Sequence, residues 1–239
     1  MIFTVQSDES SAFKTYLGKM LQVHSPGCKV IRISRHSQVY KSGERDDKVY
    51  LIESGCIKLL WPTSSENEGL VAIYSAGDLF GESCLGDETS RSETAIAMED
   101  STIWQISRDA FMAVLGRDIL LKSMVQYLVT RVCARQQTIA SLLAVNKEHR
   151  IALTLLHLCR QLGKSDPNGM RIDQKICQRE LAAMTGTTRA RIGIFLKRFE
   201  QLGLVKRSKE RFLVIDELKV HGYLTMIVPG KGMNADRVQ

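Results

Sequence analysis

The chain has 239 residues, of which 44% are hydrophobic and 25% charged. This composition excludes a largely disordered protein, and the length suits one or two domains. No apolar run approaches the roughly 18 residues that a membrane helix needs, so we expect no membrane-spanning segment.

The charge is unevenly distributed along the chain. Residues 1–145 hold 15 Lys and Arg against 17 Asp and Glu, whereas residues 146–239 hold 18 against 9. Such an asymmetry indicates a polyanionic partner for the second half. A basic surface that serves only solubility is the alternative that charge alone leaves open.

Six cysteines are spread almost evenly along the chain, at Cys28, Cys56, Cys84, Cys133, Cys159 and Cys177. No two of them have the spacing of a metal site, and the N-terminus has no signal-peptide pattern. We therefore expect a cytoplasmic protein with reduced thiols and no metal.

The first half reads as a short N-terminal helix within residues 1–25, followed by a small all-β unit from Gly27 to about Ile106. Its short runs alternate apolar and polar residues and are separated by turn residues. Gly55 and Gly77 lie where strands should reverse. The predicted strand runs are "CKVIRIS", "KVYLIESGCIKLLW", "LVAIYSAG" and "STIWQIS".

A long helix is predicted from about Arg108 to Val145, where Gly116 is the only glycine and no proline occurs. Its apolar residues recur at alternating steps of three and four, which is typical of a coiled-coil seam and favours a dimer. A helix that packs only on its own domain is the alternative. The seam residues are Val125, Leu128, Val132, Ile139 and Leu142, with Arg135 in the interrupted position.

The second half begins with a polar segment over residues 145–149 that is predicted to be a hinge. An apolar helix that Gly163 ends, a turn and a short strand follow. Residues 177–215 then read as helix, turn, second helix and a strand pair whose tip is "KRSKER", at 206–211. The tail after Tyr223 is expected to fray.

The two helices after residue 177 have the pattern of a helix-turn-helix. Gly186 suits the turn, and Thr187 or Thr188 can cap the second helix. One face of that helix is apolar at Ile192, Phe195, Leu196 and Phe199, and the other carries Arg189, Arg191, Lys197 and Arg198. Such a basic face suits the DNA major groove, and a helical hairpin with a solvated basic face is the alternative.

Residues 27–215 resemble the Crp/Fnr family of bacterial transcription regulators. The resemblance rests on "GDLFGE", "RSETAIA", "RIALTLLHLC" and "RELAAMTGTTRARIGIFLKRFEQLGLV". It implies an α+β fold with an N-terminal cyclic-nucleotide-binding-type β-roll, a long dimerisation helix and a C-terminal winged helix-turn-helix. We place these parts at 1–108, 109–145 and 146–226, with a flexible tail at 227–239.

The resemblance also implies a homodimer that binds a palindromic DNA operator, with RNA polymerase as a further candidate partner. Ala190 and Ile194 depart from the family pattern, which has a Glu and a second Arg there, so the operator sequence does not carry over. The DNA-binding residues expected on these grounds are Arg179, Thr187, Thr188, Arg189, Arg191, Lys197 and Lys209.

The stretch "FGESCLGDETSRSETA" resembles the phosphate-binding cassette of cyclic-nucleotide domains. The match implies that Glu82 accepts the ribose 2′-hydroxyl and that Arg91 holds the phosphate of cAMP or cGMP. An ion pair between Glu82 and Arg91, with no ligand, is the alternative. The expected ligand residues are Gly81, Glu82, Ser83, Cys84, Arg91 and Ser92, with Arg135 and Gln136 near the base.

The sequence leaves two other hypotheses about function to consider. A regulator of this type can bind DNA without cyclic nucleotide. Its sensor is then haem or an iron–sulfur cluster, or it has no sensor. The chain has no N-terminal cysteine cluster, which iron–sulfur relatives use. An enzyme is not expected, because no Ser/His/Asp set and no glycine-rich phosphate loop occurs. The resemblance also leads us to expect that Arg91→Ala abolishes nucleotide binding but leaves the fold intact.

Overall fold

The computed structural model describes residues 27–62, 68–86, 90–116, 118–143, 146–172, 174, 176–208 and 212–226. The predicted N-terminal helix, the tail after 226 and Lys209 lie outside these residues. The chain divides into two compact units, Met1–Ile139 and Ala140–Gln239. Among the described helices, none combines the length and apolarity that crossing a membrane requires.

In its described residues, the first unit has two four-stranded antiparallel sheets, in the orders β1-β8-β3-β6 and β2-β7-β4-β5. The predicted reversals at Gly55 and Gly77 are confirmed, and both glycines have positive φ. The strands are β1 (Cys28–Ile33), β2 (Gln38–Tyr40), β3 (Lys48–Ser54), β4 (Cys56–Pro62), β5 (Glu68–Ser75), β6 (Leu79–Phe80), β7 (Thr94–Ala97) and β8 (Ser101–Ser107).

The segment predicted as one helix from 108 to 145 is divided into α1 (Arg108–Leu115) and α2 (Asp118–Leu143). Gly116 ends α1, and its N–H donates to Met112 O at 3.0 Å. Glycine is a poor helix former, and the break allows both helices to bury apolar residues in the β-roll core. These residues are Phe111 and Leu115 from α1, and Leu120, Met124 and Tyr127 from α2.

The helix that follows the predicted hinge begins earlier in the chain than the sequence predicts. The expected hinge at 145–149 already forms the first turn of α3 (Lys147–Leu162), because the Asn146 side chain caps the helix. Asn146 Oδ1 accepts from Glu148 N at 2.9 Å, which favours helix over coil there. Of the predicted hinge, Val145 lies outside the described residues.

The remaining elements confirm the predicted winged helix-turn-helix. Strands β11, β12, β10 and β9 form one antiparallel sheet in that order. The helices α4 and α5 lie between its two hairpins in the chain, and α6 follows them. The elements are β9 (Gly163–Asp166), β10 (Gly169–Ile172), α4 (Gln178–Thr185), α5 (Arg189–Gln201), β11 (Val205–Arg207), β12 (Leu213–Ile215) and α6 (Glu217–Met226).

Candidate functional site

The helix α5 exposes a basic N-terminal half. Gly186 takes the left-handed conformation that the turn needs, with φ 59°, and Thr188 Oγ1 accepts from Arg191 N at 3.4 Å to cap the helix. The buried residues Ile192, Leu196 and Phe199 hold the opposite face in the core. Exposed on the outer side are Arg189, Ala190, Arg191, Ile194 and Lys197, with Arg179 exposed on α4.

Two residues near this face differ from the prediction. Arg198 is part of an ion pair, because its Nε lies 3.2 Å from Glu148 Oε1 on α3, so it is not a free cation for DNA. Thr187 does not cap α5, and its Oγ1 is buried with no hydrogen-bond partner among the described residues. Arg198 and Thr187 are therefore weaker candidates for DNA contact than the sequence indicates.

In the β-roll, Gly81 begins the short 3₁₀ helix Glu82–Leu85, with φ 76°. A Cβ at this position would lie 3.0 Å from Lys48 O and 3.1 Å from Arg91 Nη1. Because Gly81 has no side chain, Lys48 O and the Arg91 guanidinium can approach its backbone closely.

Arg91 is 2% exposed, and each of its N–H groups has an acceptor within the protein. Nη1 donates to Gly81 O at 2.6 Å and to Ser83 Oγ at 3.3 Å. Nη2 and Nε donate to Asp46 Oδ2 at 2.8 and 3.2 Å, and Nη2 also donates to Lys48 O. A guanidinium has only five N–H groups, so Arg91 has no donor left over.

Asp46 is the carboxylate that occupies Arg91. Its Oδ2 also accepts from Tyr50 OH at 2.8 Å, and its Oδ1 lies 3.0 Å from Lys48 Nζ. Burial alone would raise the pKa of Asp46, but hydrogen bonds from Arg91, Tyr50 and Lys48 outweigh it and lower the pKa below its usual value. Asp46 is therefore held as a carboxylate.

Glu82 is paired with a residue of α2. Its Oε1 lies 2.9 Å from Arg131 Nη2, so the alternative of a Glu82–Arg91 ion pair is wrong. Arg131 Nη1 donates to Leu79 O at 3.0 Å, and Arg131 also donates to Tyr74 OH. Burial works to lower the pKa of Arg131, but the charge of Glu82 together with the contributions of Tyr74 and Tyr127 raises the pKa overall. The predicted ribose acceptor thus joins the β-roll to α2.

The other expected ligand residues differ in their exposure and in their contacts. Arg135 is exposed, and its Nη2 donates to Tyr74 OH at 2.9 Å, whereas Gln136 is exposed on α2. Ser92 is half-buried, and its carbonyl accepts from Ser42 Oγ at 3.2 Å. Cys84 is among the expected ligand residues, but it is buried in the core that includes Val49 and Phe111. Its role in the structure is packing.

Stacked aromatic rings fill the β-roll beside Arg91. The ring centroids of Tyr50 and Phe80 are 5.0 Å apart, and those of Tyr74 and Phe80 are 6.4 Å apart. The Arg91 guanidinium lies over the Tyr40 ring, 4.4 Å from its centroid. This cation–π contact adds to the ion pair that fixes Arg91. Among the described residues, no group of three or more His, Cys, Asp or Glu could hold a metal ion.

Two family models match the two halves of the chain. The cyclic nucleotide-binding domain matches residues 30–118, and the Crp-like helix-turn-helix domain matches residues 149–219. The chain belongs to the Crp/Fnr family of transcription regulators. The Arg91 site lies in the first match, and the basic face of α5 lies in the second.

Relatives in the Crp/Fnr family cover most of the chain. The CRP-like cAMP-activated global transcriptional regulator of Mycobacterium tuberculosis is 25% identical over 183 residues, 76% of this chain and 82% of that protein. The Cyclic AMP receptor protein of Thermus thermophilus is 29% identical over 169 residues, 70% of this chain and 75% of that protein. A CooA mutant from Carboxydothermus hydrogenoformans shares the fold, with a TM-score of 0.69 at 24% identity over 86% of this chain and 90% of that one.

Sequence reasoning missed three residues of this Crp/Fnr site, namely Asp46, Tyr74 and Arg131. Arg131 precedes Arg135 by four residues on a helix, so both side chains lie on one face, and that spacing could have indicated it. Asp46 has no comparable signal. Its contact with Arg91 spans 45 positions of the chain and depends on the pairing of strands.

Proposed function

We propose that this Crp/Fnr-family DNA-binding transcription regulator acts as a homodimer on a palindromic operator and that a cyclic nucleotide in the β-roll controls its DNA binding. The observation on which the proposal chiefly rests is the exposed basic face of α5, with Arg189 and Arg191 near the N-terminus of a helix whose other face is buried. A helix presented in this way can place arginines against guanine edges in the major groove.

The dimer is supported by the apolar surface of α2. Leu120, Met124 and Tyr127 face the β-roll, whereas the predicted seam residues Val125, Leu128, Val132 and Ile139 are exposed. An exposed row of apolar residues at coiled-coil spacing is typical of an interface with a second copy. The exposed row comprises Leu121, Val125, Leu128, Val129, Val132 and Ile139.

The ligand class is supported by the cyclic nucleotide-binding domain and by relatives that are named as cAMP-activated. A second candidate is a regulator that binds DNA without cyclic nucleotide. The full engagement of Arg91 with Asp46 favours this second candidate, because a ligand phosphate would need the same donors. The two candidates differ in whether nucleotide changes DNA affinity.

The test is to select DNA sequences with the purified protein and then measure affinity for the selected operator with and without cAMP or cGMP. The proposal expects operator affinity to change at saturating nucleotide, and the second candidate expects no change. Calorimetric titration of the same preparation with each nucleotide shows whether the ligand binds at all. A protein with no preference for any DNA sequence would contradict both candidates.

We predict that Arg189→Ala weakens operator binding by about 1–3 kcal/mol and relaxes the base preference at one position of each half-site. Lys197→Ala should instead weaken binding to all DNA sequences about equally and lower the salt dependence, as loss of a phosphate contact does. Fluorescence anisotropy with operator and scrambled DNA at several salt concentrations distinguishes the two. Equal loss on both DNAs for Arg189→Ala would contradict its role as a base reader.

A further inference from the structure

A buried carboxylate lies in the β-roll at the place where the anion of a ligand is expected. Asp46 Oδ2 lies 2.8 Å from Arg91 Nη2 and 3.2 Å from Nε. A guanidinium offers this same pair of donors to a phosphate. We propose that Asp46 is an internal competitor for the nucleotide phosphate, so that a cyclic nucleotide binds Arg91 only by displacing Asp46. The proposal rests on the proposed ligand class.

Arg91 has no hydrogen-bond donor left for a ligand. Its two donors toward Asp46 are engaged, and its remaining donors are held by Gly81 O, Ser83 Oγ and Lys48 O. The Arg91 side chain is 1% exposed and that of Asp46 is 8% exposed, so water does not screen the pair. A phosphate must therefore replace an existing charge-assisted contact and cannot simply add one.

Both charged residues of the predicted ligand site are already neutralised within the protein. The Asp46 carboxylate neutralises Arg91, and the Arg131 guanidinium, 2.9 Å from Glu82, neutralises the predicted ribose acceptor. A site made of two closed ion pairs attracts a phosphate less than a free arginine would. The cost of opening the pair is subtracted from the affinity of any phosphate ligand.

Asp46 can leave Arg91 without losing all its hydrogen-bond and ion-pair partners. Its Oδ1 lies 3.0 Å from Lys48 Nζ, and its Oδ2 accepts from Tyr50 OH at 2.8 Å. The Lys48 side chain is 38% exposed, so it can follow the carboxylate as it moves. These contacts make Asp46 a displaceable competitor, whereas an aspartate held by Arg91 alone would be a permanent block.

The test is calorimetric titration of the full chain with cAMP and cGMP, for the wild type, Asp46→Asn and Asp47→Asn. Asparagine keeps the shape of the side chain but removes the charge that competes with the phosphate. We expect Asp46→Asn to bind the preferred nucleotide about tenfold more tightly or better. Asp47→Asn is the matched control, because Asp47 is the next residue and its side chain is 74% exposed; its affinity should equal that of the wild type.

The outcomes separate this proposal from the proposed function. Nucleotide affinity that is unchanged or weaker in Asp46→Asn, with measurable binding to the wild type, overturns the competition and leaves the ligand class standing. Binding to neither protein overturns both. Operator affinity, measured on the same preparations, reports separately whether DNA binding survives.

A second measurement covers the case in which Asp46→Asn fails to fold. The Asp46 carboxyl ¹³C signal of the wild type is followed by NMR as nucleotide is added. The proposal expects this signal to move in step with nucleotide occupancy, because the carboxylate leaves Arg91. Nucleotide binding with an unmoved signal overturns it, and so does the absence of any binding up to the solubility limit of the nucleotide.

Discussion

At the scale of single residues, the buried pair of Arg91 and Asp46 has consequences for stability. The sequence leads us to expect that removing Arg91 leaves the fold intact. In the structure this change leaves the Asp46 carboxylate, whose side chain is 8% exposed, without its main ion-pair partner. Breaking a buried ion pair by removing one partner is costly, because the remaining charge has lost both its water and its counter-charge.

We therefore predict that Arg91→Ala lowers the free energy of unfolding of the β-roll by about 3–5 kcal/mol. Arg32→Ala is the control, because Arg32 is exposed on β1, and its effect should stay within about 0.5 kcal/mol. Urea denaturation followed by circular dichroism measures both. Equal stability of the two variants would show that the guanidinium is not a structural element.

The ion pair of Arg91 and Asp46 also predicts that the free energy of unfolding depends on pH. The pKa of Asp46 is lowered in the folded chain, so its contribution to stability is present above the unfolded pKa of about 4 and is lost as the pH falls through the lower, folded value. In Arg91→Ala the main partner is missing. The difference in unfolding free energy between the wild type and Arg91→Ala should thus shrink below about pH 4. A difference independent of pH would assign the loss to packing instead.

Single residues also show where sequence reasoning ends. The positions of Gly81, Glu82 and Arg91 followed from a local motif, and the exposed face of α5 followed from helical spacing. The partners of Glu82 and Arg91 did not, because Arg131 and Asp46 come from distant segments that only the folded β-roll brings together. The choice of ion-pair partner is a property of tertiary structure.

At the scale of elements, local residue chemistry explains both departures from the predicted helices. The long helix is interrupted at Gly116, and α3 starts at Lys147 because Asn146 caps it. The strand pair of the wing and both helices of the DNA-binding unit follow the prediction, because turn residues and apolar periodicity agree there. Helix ends were less predictable, since short capping contacts decide them.

The turn from β6 into the 3₁₀ helix can be tested with two glycines of the same backbone type. Gly81 has φ 76° and Gly43 has φ 87°, but a Cβ at Gly43 would meet nothing within 4 Å. We predict that Gly43→Ala costs about 1–2 kcal/mol from backbone strain alone. Gly81→Ala should cost about 1–3 kcal/mol more, because its Cβ presses on Lys48 O and Tyr50. Thermal unfolding of both variants measures the difference, and equal midpoints would contradict the close packing.

At the scale of the whole molecule, the proposed dimer depends on the seam of α2. We predict that Val132→Asp raises the dimer dissociation constant about a hundredfold or more, because it places a charge in an apolar interface on both subunits. Val132 is 53% exposed in the single chain, so the change should leave the fold of each subunit unaffected. Sedimentation velocity over a range of protein concentrations measures the effect.

Thr130→Asp is the matched control for the seam. Thr130 is exposed on the same helix, two residues away and outside the apolar row. It should leave the dissociation constant close to that of the wild type. Equal behaviour of the two variants would mean that α2 does not form the interface.

The contact between Arg135 and Tyr74 OH, 2.9 Å long, joins a position of the predicted seam to the interior of the β-roll. If the seam forms the dimer and the β-roll binds the proposed nucleotide, Arg135 contacts both the dimer interface and the nucleotide-binding unit. Linkage then requires each to change the equilibrium of the other by the same factor. The nucleotide concentration at half-saturation would consequently shift with protein concentration. Dilution to concentrations at which the dimer dissociates would then change the apparent affinity for nucleotide.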